Sequence, residues 1–175
     1  MMRLGPPGSE CRVLTFREGL LSSFGHDLEI VVTRFDVRVD PDARRVDASF
    51  DAASLRVARA LRDGVESALS DADRRTIEDA IRRDVLDANH HPEVRYRSTR
   101  VADLDGGFDV TGKLTLRGKE REVVVRLRRI GDRYAAEVAL EQPDFGIQPY
   151  STLLGAIKVK TGVVVQMAFP AEPTR

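Results

Sequence analysis

The chain has a single cysteine, Cys11, so no internal disulfide can staple its fold. That usage suits a reducing compartment. Cys11 lies in the short run CRVLTFR with no histidine beside it, and a packed structural thiol is expected there. A surplus of charge is missing too: 28 basic and 28 acidic residues leave a formal net charge of zero. Nucleic-acid binders carry a basic surplus and a basic face. No nucleic-acid partner is therefore expected, and the cluster Arg126, Arg128 and Arg129 is only local. No apolar run reaches the roughly 20 residues of a membrane span. The opening MMRLGPPGSE has no apolar core of a secretory signal, so the expected location is cytoplasmic.

Catalytic signatures are equally sparse. There is no G-x-S-x-G elbow, no P-loop and no G-x-G-x-x-G sequence. His-x-x-x-His and Cys-x-x-Cys spacings are absent. Of the three histidines, His90 and His91 are adjacent and would point to opposite faces of a regular strand. They precede Pro92 and read as a surface loop, while His26 reads as a hydrogen-bonded residue at a strand start. No catalytic residue, metal or cofactor is assigned, and the expectation is a protein that is not an enzyme. One alternative is a metal-dependent enzyme using His26 with Asp27 or His90.

What the chain does have is alternation. In Val110–Val123 (VTGKLTLRGKEREV), Val110, Leu114 and Leu116 alternate with Thr111, Lys113 and Thr115. Arg117-Gly118 interrupts the run, and a second apolar run starts at Val123, which is a β-hairpin pattern. Further strands are predicted over 11–17, 27–39, 46–51, 94–98 and 134–140, with a last run from Ala156 to Phe169 ended by Pro170. Residues 1–10, with Gly5-Pro6-Pro7-Gly8-Ser9, are expected to be a disordered lead-in to one domain over 11–170. From Ser70 to Leu86 the period becomes helical: Ser70 and Asp73 resemble a capping box, and Ile77, Ile81 and Val85 form one apolar stripe. The sum is an all-β, mainly antiparallel fold of about eight strands with one inserted α-helix. Eight such strands can close into a barrel.

Several blocks, in order, carry a family resemblance. They are Phe50-Asp51-Ala52-Ala53-Ser54-Leu55; Asp84 to Val94 (DVLDANHHPEV); Val110 to Gly118 (VTGKLTLRG); and Asp144-Phe145-Gly146-Ile147. Together they resemble the YceI-like family of lipocalin-like, polyisoprenoid-binding barrels. The stretch Ser22-Ser23-Phe24-Gly25-His26-Asp27-Leu28 departs from the family's usual start, and Arg59–Arg83 is longer and more charged than usual. The resemblance implies a lipocalin-like barrel and a lipophilic ligand, isoprenoid or quinone-like, in its interior.

The inward residues predicted to line that interior are Phe50, Tyr96, Phe108, Val110, Leu114, Leu116, Phe145, Val163, Val165 and Met167. A prenyl chain has no hydrogen-bonding groups, so its affinity must come from apolar burial, roughly 25 cal/mol per Å². Small residues at Ala48, Gly112 and Ala136 would leave room. The competing reading is a filled core serving as an interaction or assembly module, with a homodimer as its simplest form.

Overall fold

The computed structural model describes residues 1–19, 25–152 and 157–171. Its strands are β1 (Met2–Leu4), β2 (Glu10–Thr15), β3 (Arg17–Glu18), β4 (Asp27–Val32), β5 (Phe35–Asp40), β6 (Arg45–Asp51), β7 (Leu55–Arg62) and β8 (Val65–Ser67). After the helix α1 (Asp71–Ala80) come β9 (Glu93–Leu104), β10 (Gly107–Leu116), β11 (Lys119–Ile130) and β12 (Arg133–Glu141). The last are β13 (Ser151–Thr152), β14 (Ile157–Val159) and β15 (Gly162–Pro170).

Twelve of these form one antiparallel sheet, and β13, β14 and β3 form a small second one. The count exceeds the expected eight because two long strands are each broken at a corner and the short β1 and β8 are added at the sheet's two edges. β4 and β5 are two halves of one segment bent at Thr33-Arg34, and β6 and β7 are halves bent at the 3-10 turn Ala52–Ser54. Ser54, fully buried, holds both bends together. Its hydroxyl donates to the Asp51 carbonyl (2.8 Å) and accepts from the Arg34 N–H (3.1 Å). Its carbonyl accepts from the Thr33 N–H (3.1 Å) and hydroxyl (2.8 Å). With each bent pair taken as one strand, eight strands follow one another around a barrel. The order is β2, β4/β5, β6/β7, β9, β10, β11, β12 and β15, which returns to β2. The one weak joint is β11–β12, paired only at Arg128–Ile130 with Arg133–Ala135.

The first ten residues correct the sequence expectation. Met2, Arg3 and Leu4 pair with Val39, Arg38 and Val37 of β5, and Ser9 is buried. The bend at Thr33-Arg34 carries β5 past the reach of β2, which on this side pairs with β4 alone, and β1 occupies the vacated edge. The Gly-Pro cluster is thus a turn between two strands, closed by a Ser9 N–H to Gly5 carbonyl bond of 3.0 Å. The last predicted run is also divided, at Lys160-Thr161, into β14 and β15. Its first residue, Ala156, the side chain of Ile157, and the departure at Ser22-Ser23-Phe24 lie outside the described residues.

Ser70 caps α1 by accepting the Asp73 N–H at 3.1 Å, as its capping-box pattern predicts. The helix continues into one π-helical turn, Ile81–Val85. It covers the edge of β7 where a bulge shifts the register between Glu29↔Arg59 and Ile30↔Val57. There the Glu78 carboxylate accepts the Val57 N–H (2.9 Å) and the Arg74 guanidinium donates to the Val57 carbonyl. Two side chains one helical turn apart replace a strand partner for a buried peptide. The far end of the helix is tied down by the β10–β11 turn. Arg117 and Gly118 both have positive φ (49° and 72°), as a type I′ hairpin requires. Arg117 donates to the Asp84 and Val85 carbonyls (3.4 and 3.2 Å), placing a cation on the helix C-terminus.

Candidate functional site in the barrel interior

The interior holds a cavity of ≈ 780 Å³. Its wall follows from strand alternation, since successive residues point to opposite faces. All ten residues predicted from the sequence stand on it. β10 contributes Phe108, Val110, Leu114 and Leu116, β15 contributes Val163, Val165 and Met167, β6 contributes Phe50 and β9 contributes Tyr96. Phe145 enters from the 3-10 turn Gln142–Phe145.

The ten are a minority of the wall. Cys11 and Val13 of β2, Leu28, Ile30 and Val32 of β4, and Val123, Val125 and Leu127 of β11 also line the cavity. Each set alternates as regularly as the residues that were chosen. The helical stripe of Ile77, Ile81 and Val85 faces the same space, so the helix is part of the wall.

Two polar groups of the interior are spent on the fold. The Tyr96 hydroxyl donates to the Val110 carbonyl (2.7 Å), with the Val123 carbonyl at 3.3 Å, and burial pushes its pKa up to about 12. Its ring occupies the room that Gly112 was expected to leave: a Cβ there would stand 2.6 Å from Tyr96 Cζ. Ala48 does lie on the cavity wall. Cys11 is 3% exposed, and burial pushes its thiol up to about 12, leaving no thiolate for chemistry. Phe145 and Ile147 are buried against Tyr96, Val110 and Leu114, so a packed cluster fills the space beside the void.

His26 touches the cavity and lies 3.4 Å from Arg62 Nη2 and 3.3 Å from Ser67 Oγ, both measured from its Nε2. Arginine only donates, so Nε2 is the acceptor. Burial first, then Arg62 and Arg17, hold the His26 pKa below its ordinary value against the opposing pull of Asp73 and Asp27. His90 is exposed and pairs with Asp87 at 2.7 Å, while the His91 ring packs over Gly118. Among the described residues no three His, Cys, Asp or Glu side chains come together as a metal site. Of the other charged groups on the wall, Asp40, Arg44 and Arg45 belong to the β5–β6 turn at one end of the barrel and Asp51 to the corner after β6. On the outer face Glu29, 6% exposed at its side chain, lies between Arg12 and Arg59, with Arg59 Nε at 2.9 Å.

The YceI-like domain matches residues 15–171. The chain belongs to the YceI-like family. Among solved structures, Burkholderia cenocepacia BcnA superposes with a TM-score of 0.63 at 18% identity, covering 91% of this chain and 94% of that one. A polyisoprenoid binding domain from Saccharophagus degradans, implicated in plant cell wall breakdown, gives 0.61 at 12% identity, covering 95% and 94%. A Campylobacter jejuni YCEI protein gives 0.53 at 13% identity, covering 69% and 71%. At such identities the likeness is one of fold. No curated protein sequence matches the chain. Three of the blocks that carried the resemblance have structural tasks. Asp51–Ser54 builds the corner, Arg117-Gly118 ties down the helix, and Phe145 and Ile147 pack the interior. No helix among the described residues is long and apolar enough to cross a membrane.

Proposed function

We propose that this protein binds an elongated apolar molecule of isoprenoid or quinone-like type in the barrel interior, as a carrier or store and without catalysis. The cavity is the observation that supports the reading. Its ≈ 780 Å³ falls within the roughly 300–1,000 Å³ of small-molecule sites. It is roughly five times the ~150 Å³ engineered apolar cavity that stays dry and takes up benzene. A void of that size is far larger than the packing defects of an ordinary core, which favours an interior kept open for an occupant over a core that packing failed to fill. The Saccharophagus degradans relative, named for polyisoprenoid binding, supports the choice of ligand class.

Mild organic extraction of the purified protein, followed by mass spectrometry, tests the reading. The expected result is a stoichiometric lipophilic molecule, or uptake of a prenyl lipid or isoprenoid quinone by the emptied protein. Val165→Trp, which projects a large ring into the void, is expected to abolish that uptake while the protein stays folded. A clean extract with no uptake of either compound class sinks the proposal.

A further inference from the structure

We propose that the interior exchanges its ligand through the side of the barrel, between β11 and β12, rather than only through its ends. The proposal rests on the binding reading above and adds the route. The β10–β11 ladder runs unbroken from Gly107↔Arg128 to Leu116↔Lys119, and the β12–β15 ladder runs from Arg133↔Pro170 to Glu141↔Gly162. Between β11 and β12 the ladder stops at Arg128↔Ala135. Residues 122–127 of β11 and 136–141 of β12 therefore face each other without pairing.

Unpaired strand edges are costly, and barrels ordinarily remove them. The arrangement of side chains gives this one a use. Had the register continued, Val125 would oppose Val138 and Val123 would oppose Leu140. All four line the cavity, so the flanks of the seam are apolar through to the interior. Outside the fork lies a depression of ≈ 550 Å³ lined by residues of both strands, among them Arg126, Arg128 and Ala136. Met167, across β12 on β15, borders both this depression and the cavity. The lower end of the seam is closed by the turn carrying Phe145, which leaves an unpaired stretch between a hydrogen-bonded fork and a packed plug. A flexible apolar chain can enter such a slit lengthwise, where a rigid polar ligand would lose hydration with no partner inside.

The test bridges the seam. Val125→Cys/Val138→Cys is treated with a short bis-methanethiosulfonate, which thiol reductant reverses, and the native Cys11 is too buried to compete. Release of a fluorescent geranylgeraniol derivative is followed by stopped flow before bridging, after bridging and after reduction. The expected result is release slowed roughly tenfold or more by the bridge and restored by reductant, with mutual exclusion of bridging and fast exchange. Unchanged release across the three states overturns the route, as does failure of the two thiols to bridge. Hydrogen exchange on the ligand-free protein judges the seam separately. Rapid exchange of the alternate β11 amides that face β12 (Glu122, Val124 and Arg126), with the amides bonded to β10 protected, supports an open seam even if the probe is refused and only the ligand reading falls. Protection of those three amides equal to that of the amides bonded to β10 overturns it.

Discussion

Gly112→Ala removes nothing from the protein, yet it should be among the most damaging small changes in the barrel. The added Cβ would lie 2.6 Å from the Arg97 carbonyl oxygen, 2.6 Å from Tyr96 Cζ and 2.7 Å from Tyr96 Oη. The first contact is with backbone on the neighbouring strand, and the others are with a ring held by its hydroxyl bond to Val110. Relief needs β9 and β10 to part or the ring to leave, which breaks that bond. Overpacking of this kind costs about 1–3 kcal/mol, and the lost bond adds about 1 kcal/mol. Against this, alanine recovers roughly 0.5–1 kcal/mol of the entropy that glycine loses in a strand. The net is a destabilisation of about 1–3 kcal/mol, or a fall in Tm of about 2–12 °C for a chain of this length. Urea and thermal unfolding measure it, and the double variant with Tyr96→Leu identifies the cause. In that background the cost should shrink without vanishing, because the Arg97 contact remains. An unchanged Tm, or the same cost in both backgrounds, refutes the argument.

Glu78→Ala strips the acceptor from the buried Val57 N–H, so a loss of about 1–3 kcal/mol is expected, with faster hydrogen exchange in β7 and α1. For Glu29, burial alone would raise the pKa, but hydrogen bonds and charge from Arg59 and Arg12 outweigh it and hold the carboxyl below its ordinary value of 4.5. A depressed acid stabilises the fold above its unfolded pKa and ceases to do so as pH falls through the folded one. Unfolding midpoints from pH 7 to 3 should therefore drop more below pH 4.5 in the native protein than in Glu29→Gln. Tyr96→Phe should cost about 0.5–1.5 kcal/mol and leave prenyl-lipid uptake intact, because the hydroxyl serves strand carbonyls. Weakened uptake at unchanged stability would assign the hydroxyl to the ligand instead. Cys11 should react with thiol reagents at neutral pH only after unfolding, and prompt labelling of the native protein would contradict its burial.

The alternation in Phe50, Tyr96, Phe108–Leu116 and Val163–Met167 was enough to name nine wall residues, because in a strand position along the chain fixes which face a side chain takes. The same rule applies to Leu28, Ile30 and Val32 and to Cys11 and Val13, so more of the wall was legible in the same way. The capping of α1 was equally local, since Ser70 and Asp73 meet within one turn. Other features had no local signal. The place of Met2–Leu4 depends on β5 bending away from β2, and the bend depends on Ser54 meeting Thr33 and Arg34 from twenty residues away. Gly112 looked like vacant space until Tyr96, sixteen positions earlier, was laid across it. Sequence by itself determined the strands, their inward faces and the family, all properties of short-range periodicity and ordered motifs. Only the tertiary structure decided that the inward faces enclose a void of ≈ 780 Å³ and that β11 and β12 part below Ala135. A volume and a seam are set by how far apart strands stand, and no residue carries that distance on its own.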